Sequence, residues 1–279
     1  MSTNVSPLSW GVGGGNSVSS VLDVRDLTRL FGSGDNVLRA VDKVSFSVQP
    51  GEILAIVGES GSGKSTLARM LLRLLEPSSG QILLNDLDAT KLHGARQLKS
   101  YWRQVQGVFQ DPFASFNQFY SIGRLLEKTM TLLDPQPSGK ARHELMDQVV
   151  LSVGLDPADI LTKWPHQLSG GQLQRATIAR ALIVEPKILV ADESTSMLDA
   201  SLRVTILNLL MDLRKRYGLA ILFITHDIGQ AYYVADRILV MYRGELVEQG
   251  TVEQVLDAPQ HPYTKRLMAD VPRLHGWAS

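Results

Sequence analysis

The sequence contains no cysteine. Disulfides, thiolate metal sites and cysteine-ligated iron–sulfur clusters are therefore excluded. It has no apolar run near the roughly eighteen residues needed to cross a bilayer. It has no basic excess either, since Lys and Arg number 28 and Asp and Glu number 28. A nucleic-acid binder generally carries such an excess, so a nucleic-acid partner is not expected. The stretch from Met1 to Ser20 is rich in Gly, Ser and Asn but lacks the basic and apolar parts of a secretory signal. It reads as a flexible tail. These absences describe a soluble intracellular chain, one still free to sit against a membrane protein. What is present is 279 residues, 44% of them hydrophobic and 20% charged. That suffices for one large α/β domain or two small ones with an ample core.

Beyond the tail, Val21–Val24 and Val44–Val48 alternate as half-buried strands do. After the Pro50-Gly51 turn, Ile53–Val57 is a continuous apolar run of the kind that suits a strand buried on both faces. Leu67, Leu71, Leu74 and Leu75 then fall on one side of a helix that stops at Pro77, and Ile82–Leu84 reads as another strand. From about 113 to 185 the spacing turns mostly helical, broken by Pro135, Pro137, Pro157 and Pro165. This segment reads as a helical subdomain inserted into the sheet domain. Strand signals return at Lys187–Ala191, Ala220–Thr225 and Ile238–Tyr242. A helix over Ser201–Tyr217 carries Arg214, Lys215 and Arg216 in its last turn and Gly218 as its stop. Alternating strands and helices imply a mainly parallel sheet with helices on its faces.

One apolar run ends abruptly in two carboxylates, Asp192 and Glu193, within the stretch LVADESTSMLD. Burying either costs several kcal/mol unless it is paired or meets a metal. Upstream, Gly58-Glu59-Ser60-Gly61-Ser62-Gly63-Lys64-Ser65-Thr66 follows one predicted strand and opens a predicted helix. It fits G-x-x-x-x-G-K-[ST] in the context that motif requires. The glycines let successive N–H groups wrap phosphate oxygens, and the helix start adds a partial positive charge. Lys64 reaches the β- and γ-phosphates, and the Ser65 hydroxyl binds Mg²⁺. Such a loop needs a second magnesium-positioning group at a strand end, which Asp192 supplies. Glu193 then faces the γ-phosphate, where a carboxylate polarises the attacking water. No N-K-x-D motif of guanine-specific proteins is present, so ATP is expected rather than GTP.

A second glycine-rich turn, Leu168-Ser169-Gly170-Gly171-Gln172, precedes another helix pattern that runs to about Glu185. Ser169 can cap that helix, whose N–H groups form a further anion site. One loop already holds the phosphates, so this one serves a nucleotide bound by another copy or a partner. With these motifs in one chain, the sequence resembles the nucleotide-binding subunit of an ATP-binding cassette (ABC) transporter. The resemblance covers nearly everything after the tail, 21–279. It implies an ABC-type P-loop NTPase core sheet with an inserted helical subdomain, an antiparallel β element and a C-terminal extension from about 243 to 279. It also implies that two such subunits sandwich two ATP molecules, each P-loop facing the other subunit's Ser169–Gln172 equivalent. By the same resemblance, Glu193 is the catalytic carboxylate and Gln110 contacts magnesium and water. Ser196–Asp199 lies at the dimer interface, His226 sits near the γ-phosphate, and Phe31 stacks on adenine. Where the family usually has Pro and Ala, this chain has Ser194 and Met197, which bears on the stiffness of the loop rather than on its ligands.

The stretches Gln110–Asn117, Pro165–Gln172 and His261-Pro262-Tyr263-Thr264 are similar to the oligopeptide/dipeptide/nickel importer subfamily. That similarity implies a second ATPase subunit, two membrane permeases, an extracytoplasmic substrate-binding protein, and a place on the cytoplasmic face of the cell membrane. It also puts the aromatic stretch Phe113–Ile122 where a permease helix docks. Some relatives carry oligosaccharides, so the cargo stays open. Two other readings compete. A soluble ABC ATPase acting on DNA or ribosomes usually shows a long coiled-coil insertion, paired cassettes or a basic surface. A small-molecule kinase leaves Ser169–Gln172 and Glu193 unexplained.

Overall fold

The computed structural model describes residues 20–34, 36–113 and 116–269. Most of the expected tail, part of the aromatic stretch and the end of the C-terminal extension lie outside the described residues. In chain order the elements begin with strands β1 (Leu22–Phe31), β2 (Leu38–Val48) and β3 (Ile53–Val57), followed by helix α1 (Lys64–Leu71). Next come β4 (Ser79–Leu84), β5 (Leu87–Asp88), α2 (Ala95–Gln104) and β6 (Val105–Val108). Four helices then follow in succession, α3 (Ile122–Thr129), α4 (Gly139–Ser152), α5 (Pro157–Ile160) and α6 (Gly170–Leu182). The last third holds β7 (Ile188–Asp192), α7 (Ala200–Tyr217), β8 (Ala220–Thr225), α8 (Ile228–Val234), β9 (Arg237–Tyr242), β10 (Glu245–Thr251), α9 (Val252–Leu256) and α10 (Pro262–Ala269). None of the described helices is long and apolar enough to cross a membrane.

The chain forms two compact units. One comprises Ser19–Lys91 and Ala220–Ser279. It contains an antiparallel sheet in the order β2-β1-β4-β5 and a second set in which β3 lies parallel to both β8 and β9, with β10 antiparallel on β9. Every residue of β3 and β8 is buried, as expected of apolar runs covered on both faces. Each fully buried Leu, Ile or Phe among them contributes about 1.5–3 kcal/mol of transfer free energy.

The other unit spans Leu92–Leu219. Its strands β6 and β7 pair in parallel, with Val108 opposite Ala191, and helices α2 to α7 make up the rest. Helix α7 starts where the Asp199 side chain accepts from the Leu202 N–H and stops at Gly218, whose left-handed φ of 63° no β-carbon obstructs.

Three expected elements come out shorter. Helix α1 ends at Leu71 because Arg73 turns into the left-handed region at φ 53°. The Leu74 and Leu75 amides fold back on the Arg69 carbonyl, and Leu74 is 58% exposed rather than part of the buried stripe. Among the described residues, Phe113 and residues 116–121 are not helical. Asp111 accepts from the Phe113 N–H and Asn117 from the Phe119 N–H, so side chains compete with the helix for backbone donors. The helix begins only at Ile122, after Ser121 caps it. Helix α6 stops at Leu182, short of Glu185, which takes a φ of 51°.

Candidate functional site

Strand β3 delivers the chain into Gly58–Thr66, and Lys64 opens α1. A β-carbon on Gly58 would stand 2.2 Å from the Met241 carbonyl oxygen, and one on Gly63 would stand 2.2 Å from that of Ala40. Backbone occupies the space a side chain would need, so only glycine fits either position. Gly61 has open space around it but a φ of 81°, and there the requirement is conformational. Ser60 and Gly61 form the exposed tip, while Ser62 is buried and receives the Gly244 N–H on its carbonyl at 2.9 Å. Lys64 is only 4% exposed, and its ammonium donates to the carbonyls of Gly58 and Glu59, each at 2.8 Å, and to Ser62 Oγ at 3.3 Å. A buried cation ringed by main-chain oxygen, beside the positive end of a helix, fits an anionic phosphate group. Ser65 is exposed in the first turn and Thr66 half-buried.

The parallel register sets Val57 opposite Thr225, so the loop and His226 leave β3 and β8 at the same end. His226 is exposed, and the next residue, Asp227, caps α8 by accepting from the Gln230 N–H. Phe31 ends β1 with its ring 37% exposed and the Arg29 guanidinium 4.7 Å over it. These residues belong to the one unit.

Gln110, Asp192, Glu193 and Ser169–Gln172 belong to the other. The β6–β7 register brings Gln110, exposed just beyond β6, and Asp192, the last residue of β7, to the same strand end. Asp192 is 7% exposed. Glu193 is half-buried at φ 47°, a left-handed conformation uncommon outside glycine, and its carbonyl accepts from both the N–H and the hydroxyl of Ser196. Backbone hydrogen bonding from Leu202, reinforced by Ser201, holds the Asp199 carboxyl below its usual range. Ser169 makes a reciprocal capping box with Gln172, hydroxyl accepting from the Gln172 N–H and amide oxygen accepting from the Ser169 N–H. A β-carbon on Gly171 would press on Leu202 at 3.0 Å, whereas Gly170 has room for one.

Among the described residues, no group of three or more His, Asp or Glu side chains could hold a metal by itself. Within the second unit, Gln110 and Asp192 offer an amide oxygen and a carboxylate at one strand end, hard oxygen donors of the kind Mg²⁺ takes.

The ABC transporter family profile matches residues 41–196, more than half of the chain. The chain belongs to the ABC transporter family. The profile of the oligopeptide/dipeptide transporter C-terminal region matches residues 247–279. The chain is 41% identical over 257 residues to the oligopeptide transport ATP-binding protein of Haemophilus influenzae, covering 92% of this chain and 77% of that one. It is 42% identical over 244 residues to the dipeptide transport ATP-binding protein of the same organism, covering 85% and 72%. Among solved structures, it resembles a dimeric ATP-binding cassette in a post-hydrolysis state bound to ADP and phosphate. That likeness has a TM-score of 0.73 at 27% identity and covers 83% of this chain and 98% of that one.

The protein is thus an ABC-type, ATP-binding transport ATPase with the α/β P-loop fold. In this ABC ATPase, Ser194 stands where the family usually has Pro, and its buried hydroxyl has no hydrogen-bond partner among the described residues. The loop after Glu193 is held instead by the two Ser196 bonds. Met197 is 61% exposed. One contact went unread in the sequence. Arg180, on α6, donates to the Gly107 carbonyl in β6 at 3.3 Å and stacks on Phe116 at 5.4 Å, and burial pushes its guanidinium pKa down. It ties the helix that starts at Gly170 to the strand leading into Gln110. Its spacing from Ser169 carries no motif, so no sequence signal pointed to it.

Proposed function

We propose that this ABC ATPase powers an importer of oligopeptides or dipeptides. The match of residues 247–279 to the oligopeptide/dipeptide transporter C-terminal region carries this reading, because that segment lies outside the cassette shared across the family. The names of the two Haemophilus influenzae relatives support it. In this reading Gly58–Gly63 and the start of α1 hold the phosphates of ATP, with Ser60, Ser62 and Thr66 completing the loop. Lys64 moves its ammonium from the Gly58 and Glu59 carbonyls to the β- and γ-phosphates. Ser65, Asp192 and Gln110 are the residues that would hold Mg²⁺, which when bound neutralises phosphate charge.

Glu193 takes the proton of the attacking water, and His226 orients the γ-phosphate oxygens. Phe31 stacks on adenine, and Ser169–Gln172 meets a nucleotide held by a second cassette. Closure on ATP and reopening after hydrolysis then drive the permeases, because ATP binds the closed dimer more tightly.

The partners in this reading are a second ATPase subunit, two permeases and, indirectly, an extracytoplasmic binding protein, with this chain on the cytoplasmic face. The chain itself supplies no membrane-crossing helix among its described residues. The test is affinity capture of this subunit from detergent-solubilised membranes, with co-purifying proteins identified by mass spectrometry. Two multi-span proteins and a second cassette are expected, and the assembly should hydrolyse ATP faster with a peptide-loaded binding protein. Ribosomes or DNA-bound proteins without a permease would overturn the reading. So would stimulation by a saccharide or a nickel chelate and none by peptide.

A further inference from the structure

We propose that Tyr263, on the C-terminal helix α10, is a positioning residue for the phosphate-binding loop. This rests on the reading of Gly58–Thr66 as the ATP phosphate site. Tyr263 is 5% exposed, and its hydroxyl accepts the Glu59 N–H at 2.9 Å. The carbonyl of the same Glu59 accepts the Lys64 ammonium at 2.8 Å. One residue of the loop is therefore gripped on its donor side from α10 and on its acceptor side by Lys64.

The grip is itself supported. The Tyr242 ring stacks on the Tyr263 ring, centroids 4.1 Å apart at an interplanar angle of 27°. The Glu248 carboxylate accepts the Gln260 and His261 amides at 2.8 and 3.0 Å, pinning the turn into α10 to β10. His261 Nδ1 in turn accepts the Tyr263 N–H at 3.1 Å. Arg266, one turn along α10, meets the Glu59 carboxylate at 3.3 Å, an exposed pair that adds little to stability. Burial pushes the Tyr263 hydroxyl pKa up, so the group stays protonated and neutral at the loop.

The physical consequence concerns preorganisation. A loop with glycines at 58, 61 and 63 has more conformational freedom to lose than ordinary chain, and whatever fixes it beforehand lowers the cost of closing on phosphate. The Gly58–Glu59 peptide plane carries both the Glu59 N–H held by Tyr263 and the Gly58 carbonyl, which accepts the Lys64 ammonium at 2.8 Å, so its orientation bears on where Lys64 rests. Rotation of that plane would displace the ammonium from the mouth of the loop. Tyr263 prevents that rotation at an amide outside the G-x-x-x-x-G-K-[ST] consensus glycines. The C-terminal segment is thereby linked to nucleotide affinity.

Tyr263→Phe keeps the stacked ring and removes only the acceptor. With the full chain, titration of a fluorescent ATP analogue and steady-state ATP hydrolysis should show Kd and KM raised about 2- to 10-fold, the worth of one hydrogen bond, with kcat changed less than KM. Thermal unfolding should stay near that of the parent, a pattern that a merely structural tyrosine would reverse. Amide exchange of Glu59 in the unsubstituted, nucleotide-free chain should be protected, and the substitution should release it selectively. Unchanged ATP affinity in a folded Tyr263→Phe, or an unprotected Glu59 amide in the parent, would overturn the proposal. Absence of ATP binding in the parent would instead sink the underlying ATP-site reading, while the exchange measurement still reads the contact itself.

Discussion

At Ser194 a buried hydroxyl lies without a hydrogen-bond partner among the described residues, next to the half-buried Glu193 with its left-handed backbone. A buried hydroxyl left unpaired costs about 1–3 kcal/mol relative to one that is satisfied. Ser194→Ala removes that group without opening a cavity of any size. Stability should hold or rise by up to about 1 kcal/mol, as read by urea unfolding. A loss of more than about 1 kcal/mol would mean that the hydroxyl is satisfied in solution. The sequence flagged this position only as a departure from Pro. What holds the loop in its place, the Ser196 N–H and hydroxyl on the Glu193 carbonyl, is a matter of backbone direction that a residue string does not display.

Among the elements, α6 shows how local chemistry fixes a boundary. The pattern Ser169-Gly170-Gly171-Gln172 carries both halves of a capping box, and the helix begins where the pattern says it should. Ser169→Ala removes one half and should lower stability by about 1 kcal/mol in denaturant titration, with Ser169→Asp restoring most of it. The ends that were misplaced share a different cause. Leucine periodicity extended α1 to Leu75, yet the left-handed turn at Arg73 stopped it at Leu71. Helical spacing after Pro112 ran through the Asx bonds of Asp111 and Asn117. Periodicity locates a buried face well. A side chain bonding to its own backbone, or a single residue at positive φ, overrides it without altering the hydrophobic pattern.

For the whole molecule, the equal numbers of acidic and basic residues leave the pH dependence of stability to particular groups. Burial raises the pKa of Glu248, but its contacts with Thr264 and the amides of Gln260 and His261 outweigh burial and hold it below the usual carboxylate range. Burial likewise raises Asp88, and hydrogen bonds from Thr90 and Lys91 bring it down. A carboxyl with a depressed folded pKa stabilises above its unfolded pKa and loses that contribution as pH falls through the folded value. Burial raises the pKa of Glu185, opposed by Arg103, so its effect has the opposite sign, and it costs stability as pH rises past its unfolded value. The unfolding midpoint should therefore fall as pH drops below about 4, the ordinary carboxylate pKa. Glu248→Gln should flatten that decline, which melting curves across an acid series would reveal. An unchanged acid limb would remove Glu248 from the account.

At this scale the alternating strands and helices, the glycine turn of Gly58–Gly63 and the capping pattern of Ser169–Gln172 were legible in the sequence, because each is contiguous and sterically demanding. The contacts of Arg180 with Gly107 and of Tyr263 with Glu59 were not, because they join residues far apart in the chain. We propose that this ABC ATPase hydrolyses ATP through Glu193, which ATP binding and turnover by Glu193→Gln in the purified assembly test most directly. ATP affinity should stay within about twofold of the parent while kcat falls by about 100-fold or more, the scale of a lost general base. Turnover equal to that of the parent would contradict the account.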